Sequence, residues 1–98
     1  METKNNSENR RLGVVAIIVN NRDRAHHQLN QILHDFSSII VGRLGLPYRE
    51  RNLSIISLIV DGNTDKIGAM TGQIGQLADV TVKTAFAKLP AAEKNRTT

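Results

Sequence analysis

Two stretches of this chain share one layout. Residues 12–46 run as an apolar strand, an amphipathic helix and a second apolar strand, and residues 53–87 repeat that order. A chain of this design has four strands but only two helices. Two helices can bury one face of a four-stranded sheet and leave the other uncovered. Whatever meets that second face says more about function than any single residue does.

The first strand spans Leu12 to Val19 and is rich in Val and Ile. Asn21 is placed to cap a helix from about Arg22 to Ser37, because its short side chain can accept a hydrogen bond from a free backbone N–H. Asp23 then sits near the positive end of the helix dipole. Ala25, Leu29, Ile32, Leu33 and Phe36 form one apolar stripe at spacings of three and four. The second strand runs from Ile39 to Leu46, with Gly42 and Gly45 marking a bulge or bend and Pro47 ending it. A loop over 47–52 leads to a third strand, Leu53 to Val60, and Asp61, Gly62 and Asn63 read as a turn. Asn63 or Thr64 caps a second helix to about Leu77, whose stripe is Ile67, Met70, Ile74, Leu77 and Ala78. The last strand is Val80 to Ala87. The order strand-helix-strand twice over predicts an α+β fold, a ferredoxin-like βαββαβ sandwich with a four-stranded antiparallel sheet and two helices on one face.

The strand patterns carry the functional clue. The fourth strand alternates, with Val80, Val82 and Phe86 on one side and Thr81 and Lys83 on the other. The first does not: Val15, Ile17 and Val19 alternate with Val14, Ala16 and Ile18, so both faces are apolar. The third is similar, with Leu53, Ile55 and Ile59 on one face and Ile56, Leu58 and Val60 on the other. In the predicted sheet these two strands are central. An apolar stripe on the open side predicts association, and a symmetric homo-oligomer is the expected form, dimer or tetramer.

Length and charge bound the remaining possibilities. Ninety-eight residues make one small domain, expected over 12–88, with polar tails over 1–11 and 89–98. There is no cysteine, which excludes disulfides and thiolate metal sites. No stretch is long and apolar enough for a signal segment or a membrane span, so a cytoplasmic protein is expected. The net charge of +4 resembles a nucleic-acid signal until it is located. Residues 12–87 hold seven basic and six acidic side chains, and most of the excess lies in the tails. With only Phe36, Tyr48 and Phe86 as aromatics, there is no charged face with stacking platforms, which argues against direct nucleic-acid binding.

Several residues invite a chemical reading beside a plainer one. His27 and His34 lie seven apart on the first helix and share a face. Imidazole suits nickel, copper or zinc, but two ligands two turns apart need a partner helix to grip an ion, and a solvated helix face is the simpler account. Asp61, Asn63 and Asp65 open like a calcium loop, yet Lys66 and Gly72 stand where glycine and glutamate belong, so calcium is rejected. Gly68, Gly72 and Gly75 line one flank of the second helix, where glycine is costly. Close packing of helix against helix or sheet explains them, as does a contact between subunits. Arg43, Arg49 and Arg51 would form an anion pocket if the loop after the second strand folded back; otherwise they are a solvated hairpin. No nucleophile elbow and no acid–base pair at defined spacing is present, so nothing argues for catalysis.

The segments Asp23-Arg24-Ala25, Leu33-His34-Asp35-Phe36-Ser37, Arg43-Leu44-Gly45-Leu46-Pro47-Tyr48-Arg49-Glu50, Ile67-Gly68-Ala69-Met70-Thr71-Gly72-Gln73-Ile74-Gly75 and Val80-Thr81-Val82-Lys83-Thr84 together resemble a family of small ACT-like proteins, proposed regulators of the iron-only hydrogenase system. The resemblance covers nearly all of residues 12–88. It implies a ferredoxin-like fold similar to ACT domains and to the sensor domain of a nickel-responsive repressor, relatives that assemble through their sheets and bind small effectors or metal between subunits. It also implies an effector site at the turn between first strand and first helix, which here is Asn20, Asn21, Arg22 and Asp23. The turn holds asparagines where ACT domains often have glycine. Backbone N–H groups at the helix start could still hold a carboxylate.

The expected function is thus a non-enzymatic, oligomeric regulatory module that binds a small effector at a subunit interface and signals to a protein partner. No cofactor is specified. A metal-handling accessory protein using His27 and His34 across an interface is the alternative, followed by an enzyme of the dimeric α/β-barrel kind and by direct DNA binding.

Overall fold

The computed structural model describes residues 10–20 and 23–88, with Asp23 and Arg24 described by their backbone alone. Element order is β1 (Arg10–Asn20), α1 (Asp23–Asp35), β2 (Ile40–Tyr48), β3 (Leu53–Asn63), α2 (Thr64–Gly75) and β4 (Val80–Phe86), with short 3-10 turns at Ser37–Ile39 and Arg49–Arg51. The strands form one sheet in the order β2-β3-β1-β4, and every neighbouring pair is antiparallel. This is the ferredoxin-like arrangement that the doubled unit predicts, with β1 and β3 at its centre.

One face of the sheet carries both helices. Val15, Ile17 and Val19 from β1 and Ile56, Leu58 and Val60 from β3 meet Ala25, Leu29, Ile32 and Leu33 from α1 and Ile67, Met70 and Ile74 from α2. Val80 and Val82 of β4 pack at the edge of this core. The helices form because their apolar residues recur on one side, and that side is buried as expected except at the end of the second stripe, where α2 stops at Gly75 and Ala78 is exposed. The Asn63 side chain accepts from the Lys66 backbone N–H at 2.8 Å and caps α2. Asn21, the proposed cap of α1, lies outside the described residues.

Element ends differ from the sequence reading in two instructive places. Pro47 lies inside β2 rather than stopping it. It is tolerated because β2 is an edge strand, where a residue without an N–H removes no bond from a central ladder. Asp61, Gly62 and Asn63 continue β3 instead of turning, because β1 begins two residues earlier and offers Leu12, Arg11 and Arg10 as their partners. Gly62 is also a point of close approach. A β-carbon there would lie 2.6 Å from Ile39 Cγ2, so the 3-10 turn before β2 can seat Ile39 in the core only over a bare backbone. Of the two β2 glycines, Gly42 borders a bulge, where the register slips between Ile40 and Gly42 and leaves Val41 as the extra residue, while Gly45 pairs in regular register with Ile56.

Candidate functional site

The period of two in β1 and β3 places their second set of apolar side chains on the face without helices. The register lines them up in rows. Val14 lies opposite Ile59 and Ala85, and Ile18 lies opposite Ile55 and Thr81. Between these rows, Ala16 lies opposite Ser57 and Lys83. The edge strand β2 adds Leu44 beside Ser57, Leu46 beside Ile55 and Tyr48 beside Leu53. Leu44, Leu46, Val14, Ile59 and Ile18 are 70, 54, 45, 45 and 40 % exposed. Among the described residues, a three-strand breadth of connected aliphatic surface is therefore left exposed.

This face has almost no chemistry of its own. Ser57, Thr81 and Lys83 are its polar members over the middle of the sheet, and Arg10 and Asp61 close one end with an ion pair of 2.6 Å. The Asp61 carboxylate holds the Arg10 guanidinium above its ordinary pKa through a hydrogen bond and its charge. Among the described residues no polar side-chain atom is buried without a partner. The arrangement suits packing against another apolar surface rather than turning over a substrate.

The other candidate residues are placed as follows. Asn20 ends β1 and its backbone N–H donates to the Asp79 carbonyl at 3.0 Å, tying the end of β1 to the entry of β4. Asp23 opens α1, while Asn21 and Arg22 lie outside the described residues. His27 and His34 are both exposed on α1, about 10 Å apart along the helix axis. Among the described residues no group of three or more histidine or acidic side chains is placed to hold a metal ion. Arg43 donates to Asn30 Oδ1 of α1 at 3.1 Å. Arg49 and Arg51 sit beyond the far end of β2 in their own 3-10 turn, and the strand alone separates Arg43 from Tyr48 by about 16 Å of backbone. Glu50 in that turn accepts from the Tyr48 hydroxyl.

The helix glycines divide. Gly75 packs against β4, where a β-carbon would meet Val82 Cγ1 at 3.5 Å. Gly68 and Gly72 face open space, with nothing within 4 Å of a β-carbon built there. A contact of 3.5 Å is an ordinary one, so packing among the described residues demands glycine at none of the three positions.

The apolar surface of β2 is the part of the site that periodicity in the central strands did not reveal. Its signal was the alternation Leu44, Leu46, Tyr48, and its meaning depends on the register with β3. Gly45 and Pro47 between those residues read as a bend and a stop.

A single sheet backed by two helices, with an open apolar face, is the architecture of an ACT-like domain. The chain belongs to the TM1266-like family, described as "Iron-only hydrogenase system regulator, putative", whose model matches residues 11–84. The solved structure of TM1266 from Thermotoga maritima is 42% identical, covers 81% of this chain and 99% of its own, and superposes with a TM-score of 0.79. The ACT domain of a GTP pyrophosphokinase from Chlorobium tepidum is 17% identical with a TM-score of 0.64, over 76% of this chain and 96% of that one. A formyltetrahydrofolate deformylase from Pseudomonas putida KT2440 contains the same fold in 29% of its length, at 6% identity, 81% coverage of this chain and a TM-score of 0.58. At such low identity the last two show the fold alone, and the fold by itself does not separate a regulator from a part of an enzyme. No curated protein matches the chain. Among the described residues no helix is long and apolar enough to cross a membrane.

Proposed function

We propose that this protein is a non-enzymatic regulatory module that acts as a homo-oligomer, dimer or tetramer, joined through the open face of its sheet. It takes a small effector at the subunit interface and passes the signal to a protein partner. The observation that carries the reading is the row of exposed aliphatic side chains across β2, β3 and β1. The family's description as a regulator supports the role. Asn20 supports the place, because it lies at the outer end of β1 beside the turn to α1 where the resemblance puts an effector. An effector bound there would favour one packing of the subunits over another, which is a shift between populations rather than a chemical step.

Two measurements test this. Light scattering should give at least a dimer at micromolar concentration, and Ile59→Lys should give a monomer that stays folded, because a charge on the open face blocks association without entering the core. A thermal-shift screen of amino acids, nucleotides and divalent metals should find a compound that raises the melting temperature, since any ligand of the native state stabilises it. A wild-type monomer overturns the assembly, and a screen without stabilisation overturns the sensing role.

A further inference from the structure

The open face is not the same on its two sides. At one edge, β2 presents Leu44 and Leu46, both more than half exposed. At the other, β4 presents Thr81, Lys83 and Ala85, which are small, or charged at the tip. Down the middle, Ala16 and Ser57 form a low row between the taller pairs Val14–Ile59 and Ile18–Ile55. Lys83 has no ion pair among the described residues.

We infer that two copies pack these faces together about a two-fold axis running along the strands, so that β2 of each copy lies over β4 of the other. This rests on the reading of the open face as an interface between copies. Two sheets pack face to face with their strands within about 30° of alignment, which leaves an axis along the strands or an axis across them. An axis across the strands lays β2 on β2 and β4 on β4. The leucines then hold the sheets apart on one side, the small residues face a gap on the other, and Lys83 lies over the partner's β4, near the partner's Lys83. An axis along the strands removes both faults. Leu44 lies over the aliphatic stem of the partner's Lys83, whose ammonium reaches water at the sheet edge. Leu46 lies over the partner's Thr81, Ile59 over the partner's Val14 and Ser57 over the partner's Ala16. Each β2 leucine meets a short or slender side chain of β4, the central pairs meet their own kind, and no two lysines meet.

The chain has no cysteine, which makes the test direct. Leu44→Cys, Lys83→Cys and the double variant are made and treated with a bis-maleimide. The linker is chosen to span the gap between packed sheets, which at about 10 Å between backbones is too wide for a disulfide. It must be too short for the roughly 14 Å between β2 and β4 of one chain. Light scattering is run first on the double variant. A monomer there removes the interface reading itself, and this arrangement with it. If the double variant associates, it should cross-link to a covalent dimer at least five-fold more than either single variant, and Leu46→Cys/Thr81→Cys should behave likewise. Cross-linking of either single variant at the level of the double, or an associating double variant that does not cross-link, overturns the arrangement.

Discussion

The two faces of this sheet are made from the same residue types and end in opposite situations. Ile17 and Leu58 point to the helices and are fully buried, while Ile18 and Ile59, their immediate neighbours in the chain, are 40 and 45 % exposed. Residue type did not decide this. Two helices provide one cover, and the period of two in β1 and β3 sends half of their aliphatic side chains to the side that has none. An apolar residue is therefore no sign of core in a strand that is apolar on both sides.

Substitutions in neighbouring residues sharpen the contrast most. Leu58→Ala should cost about 2–5 kcal/mol in urea unfolding, because it opens a cavity in a packed core. Ile59→Ala should cost about 1 kcal/mol or less at low protein concentration, and more as concentration rises, because the proposed association is what would cover that side chain. Equal, concentration-independent costs would erase the distinction between the faces. The next largest effect is expected at Gly62, on the covered side. Gly62→Ala should cost about 1–3 kcal/mol, since Ile39 must move from a position 2.6 Å from the new carbon. A neutral result would mean the 3-10 turn before β2 yields freely. The smallest effect should have the opposite sign. Gly72→Ala fills open space on α2 and removes a poor helix former, so thermal unfolding should show the chain stabilised by up to about 1 kcal/mol. If Gly72 instead serves a contact between copies, light scattering will show weaker association although each chain is more stable.

Much of the fold was legible beforehand. The helix stripes from Ala25 to Phe36 and from Ile67 to Leu77 follow from spacing, and the double character of Val14 to Val19 and Leu53 to Val60 follows from alternation. Element ends were less legible, because they depend on partners. Asp61, Gly62 and Asn63 have turn chemistry, and they remain extended because Leu12, Arg11 and Arg10 lie beside them. Pro47 looks like a stop until β2 is seen to be an edge. Of the candidate site residues, the histidines and the arginines could be named in advance. Their separation could not, since it follows from where the strand and helix carrying them run.

The open apolar face itself was decided locally, by the count of helices and the alternation along two strands, both of which can be read from one residue to the next. The relief on that face was decided by the register. Ala16, Ser57, Lys83 and Leu44 come from four separate strands and stand in one row because backbone hydrogen bonds align those strands. Cross-strand neighbours are far apart in the chain, so no local pattern encodes which small residue meets which, and a slip of one residue would turn each of them to the other face.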